Sequence, residues 1–149
     1  MTRVSVGGRD EGSALVEFVL LAVVLIVPFV YAVLCVFEVE RAAYGVSVAA
    51  REGGRAFVTA PDGASAELRA DDAVALALSD QGVPAAADAG TRIVCDADPC
   101  LSPGARVEVR VSAVVALPLV PHWGRRLPAA ITVRAEHIEV VDTYRAARP

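Results

Sequence analysis

Hydrophobic positions follow three successive patterns along the chain, and each predicts a different kind of element. The first is unbroken. From Phe18 to Phe37 there are 20 consecutive residues without a charge. As a helix that run spans ~30 Å, the thickness of a bilayer's hydrocarbon core. Beyond it the pattern becomes a stripe: Ala42, Val46, Ala49, Gly53 and Phe57 recur at helical spacing. One helix is therefore expected from about Ser13 to about Val58. Pro28 removes one of its hydrogen bonds near mid-run and predicts a kink, which membrane spans tolerate. The small residues of the stripe let another backbone come close, either this protein's own domain or a neighbouring subunit.

A breaker segment, Thr59 to Ser65 with Pro61 and Asp62-Gly63, ends that helix. The second pattern then begins. Ala66, Ala70, Ala73, Ala77 and the nearby leucines form the predicted buried face of a helix from about Ala66 to Gln81. Ser65 is its candidate N-cap, and Gly82 and Pro84 stop it. Glu67, Arg69, Asp71, Asp72 and Asp80 fall on the solvated side. Asp71 and Asp72 are adjacent and so diverge by ~100° on a helix, which argues against a shared acid–base site.

The third pattern is alternation. Val107, Val109, Val111, Ala113 and Val115 alternate with Arg106, Glu108, Arg110 and Ser112, predicting a strand over Ala105–Leu117 with one face in water. Thr91–Cys95 reads as a strand before it, after a loop from Val83 to Gly90. Ile131 to Val141 reads as one after it, across a proline-rich connection from Pro118 to Pro128 that holds Trp123 and Arg125-Arg126. In the last strand Ile131, Val133 and Ala135 hold one phase, while Ile138 and Val140 hold the other. A bulge or bend is expected at Glu136–Ile138, and the tail after Thr143 is expected to fray. The fold class is α+β: a long N-terminal transmembrane α-helix, a second helix and a small antiparallel β-sheet.

Composition narrows the setting. The chain has 149 residues, room for one span and one small domain. Hydrophobic residues make up 55%, and the mean hydropathy of +0.50 suits a membrane-anchored chain. The net charge is −4 and all 14 basic residues are arginine. Residues 59–149 carry 12 acids against 9 arginines with no basic stripe, so nucleic acid is not an expected partner. The apolar run is too long for the core of a secretory signal, and no small-x-small site follows it cleanly. Leu34 before Cys35 does not fit a lipoprotein cut. A permanent anchor is the better reading.

Candidate chemistry is sparse. Glu17 sits at the lip of the apolar run, where a charge costs free energy unless it is paired. It either marks the membrane interface or has a partner. Cys95 and Cys100 bracket Asp96-Ala97-Asp98-Pro99 between two predicted strands. Outside the cytoplasm a disulfide would close this loop; in the cytosol two free thiols would remain. A zinc site needs about four ligands, and His122 and His137 lie far along the chain. Asp96 and Asp98 lack the further ligands of a calcium loop. Cys35 reads as an apolar filler within the span. Ser47, Ser102 and Ser112 have no nucleophile-elbow context, and neither a P-loop nor a dinucleotide fingerprint is present. The expectation is a protein that is not an enzyme and holds no cofactor.

Gly12-Ser13-Ala14-Leu15-Val16-Glu17-Phe18, Pro28 inside the run, and Ala49-Ala50-Arg51-Glu52-Gly53-Gly54-Arg55 beyond it together resemble the TadE-like family, the pilin-like proteins of tight-adherence (Flp) pilus systems. The resemblance is strongest over about residues 9–58. It implies a leader over 1–12, a transmembrane helix with its extracytoplasmic extension over 13–58, and a small extracytoplasmic domain over 59–149. It further implies that a prepilin peptidase cuts between Gly12 and Ser13, making Glu17 the fifth residue of the mature chain. The implied partners are the membrane, that peptidase, other pilin-like subunits and the pilus assembly machinery. Arg3 and Arg9 before the run and Arg41, Arg51 and Arg55 after it do not bias its orientation, so a cytoplasmic N-terminus follows from the resemblance and the cysteines. The alternative is a singly anchored extracytoplasmic binding module, neither processed nor polymerised. A membrane-tethered enzyme is a third reading and has no catalytic constellation behind it.

Overall fold

A computed structural model of the protein describes residues 11–83, 90–117 and 130–146. Five elements follow in order: α1 (Glu11–Val58), α2 (Gly63–Asp80), β1 (Gly90–Cys95), β2 (Arg106–Ala116) and β3 (Ala130–Val140). The chain divides into two units, Met1–Val36 and Phe37–Pro149.

The first unit consists, in its described part, of the N-terminal portion of α1. The helix is continuous through Pro28. Its apolar side chains point outward on every side, with Leu15 69%, Phe18 72% and Leu25 68% exposed. A helix that is hydrophobic all round is built for an apolar surrounding.

The second unit is an antiparallel meander, β1-β2-β3, packed on one face by helices. The inner face of β2 supplies Val107, Val109, Val111, Ala113 and Val115, all buried. Ala42, Val46, Ala49, Ala50 and Phe57 of α1 are buried in the same core, together with Ala66, Ala70, Val74 and Leu78 of α2. The small-residue stripe thus serves this protein's own domain. Its closest approach lies at two glycines. A Cβ on Gly53 would stand 2.7 Å from Val74 Cγ2 and 3.5 Å from Val109 Cγ1. A Cβ on Gly54 would stand 2.9 Å from Glu139 Cγ.

Three sequence expectations are corrected. The N-cap of α2 is Asp62, not Ser65. Asp62 Oδ1 accepts the Ser65 backbone N–H at 2.8 Å, and the Ser65 hydroxyl donates back to the Asp62 carbonyl at 3.1 Å. A carboxylate here satisfies an orphan N–H and faces the positive end of the helix dipole. Among the leucines of α2, Leu78 is buried as expected, but Leu68 and Leu76 are 69% and 63% exposed. The third concerns β3. Its register against β2 is unbroken from Arg106↔Val140 to Ala116↔Ala130, so no bulge interrupts Glu136–Ile138. Instead His137 and Glu139 take core-side positions over Gly54 and contact each other, Nε2 to Oε1, at 3.1 Å. Each supplies the other's polar partner, which lets Ile138 and Val140 turn outward without a change of register.

The end of the described chain is also tied down rather than frayed. Arg145 donates to the Val58 carbonyl at 2.8 Å, to the Pro61 carbonyl at 3.1 Å and to the Ala60 carbonyl between them. These are acceptors that a helix leaves unpaired at its C-terminus and just beyond it. Of the expected loop Val83–Gly90, Gly90 opens β1 and residues 84–89 lie outside the described residues, as does the connection over Pro118–Pro128.

Two outcomes follow from this packing. Gly53→Ala should destabilise the full chain by about 1–2 kcal/mol, because overpacking against the stiff Val74 outweighs the gain in helix propensity. Chemical unfolding in detergent measures this, and adding Val74→Ala should recover part of the loss. The second concerns pH. The Ser65 backbone N–H, and then its hydroxyl, hold the Asp62 carboxyl below its ordinary value. Its stabilisation is then present above the unfolded carboxyl's pKa of about 4 and lost as pH falls through the lower folded value. Asp62→Ala should lower the melting temperature at pH 7, and the gap to wild type should close on acidification.

Candidate functional site

The N-terminal end of α1 gathers the residues that sequence singled out for processing. Gly12 and Ser13 lie in its first turn, since the helix begins at Glu11 rather than Ser13, a difference within the ordinary scatter of helix ends. The expected leader, 1–12, otherwise lies outside the described residues. Glu17 stands four residues beyond Ser13, one turn further along the same helix face. It is exposed, and among the described residues no ion pair reaches it. Its neighbours Leu15, Val16 and Phe18 are exposed apolar side chains. The stretch that begins at Ala14 is long and apolar enough to cross a membrane.

A helix end of this kind has defined chemistry. A lone carboxylate beside an apolar surface is costly to bury unpaired and stable beside a cation. Gly12, Ser13 and Glu17 are thus within one and a half turns of each other.

The other sequence candidates, Cys35 apart, lie in the second unit. Cys95, ending β1, and Cys100 form a disulfide with their Cα atoms 5.4 Å apart. The Asp96 carboxylate accepts the Arg106 backbone N–H at 2.7 Å, pinning the loop to the start of β2. Cys35 is a free thiol in α1. His137 faces Glu139 and no nucleophile, whereas His122 lies outside the described residues. Among the described residues no three His, Cys, Asp or Glu side chains gather as metal ligands would.

One charged feature was not foreseen. Arg92, Arg110 and Arg134 surround Gly90 and Ser112 on the outer face of the sheet, lining a shallow hollow of about 670 Å³. Arg110 pairs with Glu108 and, at 3.7 Å, with Glu136. Glu108 holds the Arg110 guanidinium above its usual value, first through their hydrogen bond. The signal was present in the sequence: the polar phase of the strands carries these arginines, but only the register brings them together.

Comparison with protein-family models, with curated proteins and with solved structures returned no match.

Removing the disulfide measures how firmly the β1–β2 loop is held. Closing so short a loop supplies about 2 kcal/mol in the chain-entropy picture. The paired variant Cys95→Ser/Cys100→Ser should lose up to that amount in chemical unfolding and keep the sheet's circular dichroism.

Proposed function

We propose that this protein is a TadE-like minor pilin or pseudopilin, a structural subunit in the assembly of tight-adherence pili. One observation carries the reading. A carboxylate, Glu17, stands one turn beyond Ser13 at the edge of an uncovered apolar helix surface, and a small antiparallel-sheet domain follows. This helix-plus-sheet architecture is pilin-like without being particular to pilins. The residues around Gly12 supply the finer identification.

In the proposed mechanism α1 holds the precursor in the membrane, with Gly12 near the cytoplasmic face. A prepilin peptidase hydrolyses the Gly12–Ser13 amide. The new α-amino group of Ser13 is a cation at neutral pH. Glu17 of an adjacent subunit pairs with it in low-dielectric surroundings, where leaving either charge alone costs most. That pairing favours one axial register over others. The second unit lies outside the cytoplasm, where the Cys95–Cys100 disulfide is stable. The role is structural rather than catalytic.

Intact mass of the protein taken from membranes of its native host tests the reading. A chain that begins at Ser13 supports it. A chain that begins at Met1 or Thr2, while the peptidase cleaves another substrate, returns the protein to a plain anchored module. Glu17→Gln should leave membrane insertion and cleavage intact yet reduce co-isolation with other pilin-like subunits by about tenfold or more, the scale of one lost charge pair in apolar surroundings.

A further inference from the structure

Two faces of the second unit look away from the core they share: the sheet face carries Arg92, Arg106, Arg110 and Arg134 against Glu108 and Glu136, and the helix face is mainly acidic. On the sheet, Arg92 lies directly across from Arg110, a like-charge juxtaposition that costs stability. Neither Arg92 nor Arg134 makes a salt bridge among the described residues. Beside these arginines Val94, Ile138 and Val140 stand 42%, 58% and 52% exposed. Arginine set against exposed apolar side chains is the composition of an interface core. On α2 the exposed ridge is Leu68, Asp72 and Leu76 at intervals of four residues, with Asp71 beside it. The outer side of that helix carries Glu67, Asp71, Asp72 and Asp80 against Arg69 alone.

The spacings agree as well as the charges. Four helix residues advance ~6 Å, and two strand residues ~7 Å. In the strand register Val94 and Ile138 flank Glu108, and the Arg92–Arg110 row comes next, followed by Gly90 and Ser112. A helix laid along the strands with Leu76 between Val94 and Ile138 would bring Asp72 to Arg92, beside Arg110, which Glu108 and Glu136 already pair. Leu68 would then reach the hollow over Gly90 and Ser112.

We propose that the outer face of the sheet binds the α2 ridge of a second copy of this chain. The contact is head-to-tail: each copy offers the sheet to one neighbour and α2 to another, so it propagates rather than closing on itself as a two-fold dimer does. It deepens the assembly reading and rests on it for the high local concentration of anchored copies, but not on cleavage after Gly12. The face is only three strands wide, so the contact is a small one. Copies confined to a membrane meet at far higher effective concentration.

Disulfide trapping in membranes tests the contact on the full chain, with Cys35→Ser as background. One tagged version carries Leu76→Cys and a second, differently tagged, carries Ile138→Cys. Oxidation should join the two versions to each other and neither to itself, and a chain with both substitutions should give a ladder. Asp72→Arg should lower the yield about tenfold, the scale of one reversed interfacial charge. Pairing it with Arg92→Asp/Arg110→Asp on the other version should restore the yield. Retained melting behaviour and an intact Cys95–Cys100 bond would show that the variants fold. Self-joined Leu76→Cys chains, joining only to a different protein, no joining at all, or a yield indifferent to charge reversal would each overturn the proposal. A chain that begins at Ser13 but does not join would sink this contact alone. A joined chain that still begins at Met1 would sink the processing step alone.

Discussion

The second unit depends on a close approach of backbones at Gly53 and Gly54. There α1 passes near enough to α2 and the sheet that a methyl group added at Gly53 would meet Val74, and one added at Gly54 would meet Glu139. Around this point the buried side chains are mostly alanine and valine. A core built from such small volumes closes only if its layers come near one another, since voids forfeit contact energy that small side chains cannot recover at longer range. The glycines let a short three-stranded sheet and two helices enclose a core at all.

That economy leaves the polar requirements to a few paired groups. His137 and Glu139 occupy core-side positions and satisfy each other. Arg145 satisfies three carbonyls at and beyond the end of α1. Buried side-chain nitrogen and oxygen atoms without a partner are absent among the described residues. What remains exposed divides by character: an apolar helix surface in the first unit, and an arginine-bearing sheet face and a mainly acidic helix face in the second.

Much of this was legible in the sequence because the relevant patterns are long. The uncharged run and the small-residue stripe give α1 to within two residues at its start, and the strict alternation of Val107–Val115 gives β2 and its buried face. Two of the failures share a cause: a side chain's polar partner decided its place. Asp62 took the cap because its carboxylate reaches Ser65. β3 kept its register because His137 and Glu139 could be placed inward as a pair, whereas apolar phase alone would have broken it at Ile138. The arginine hollow needed cross-strand register, which no single strand's sequence contains. At the other end of the chain the asymmetry reverses. The resemblance around Gly12 and Glu17 lies in the order of residues, and the fold adds to it only a helix end and an uncovered apolar surface.

The reach of Arg145 also sets an order of events during synthesis. It donates to Val58, 87 residues earlier in the chain. While a ribosome makes the intervening segment, Thr59 and Ala60 already satisfy the Arg55, Ala56 and Phe57 carbonyls, but the Val58 carbonyl still awaits Arg145. The clasp between the end of α1 and Arg145 thus forms only after α2 and the sheet have emerged. Until then the nascent helix can engage its surroundings before the domain beyond it is locked.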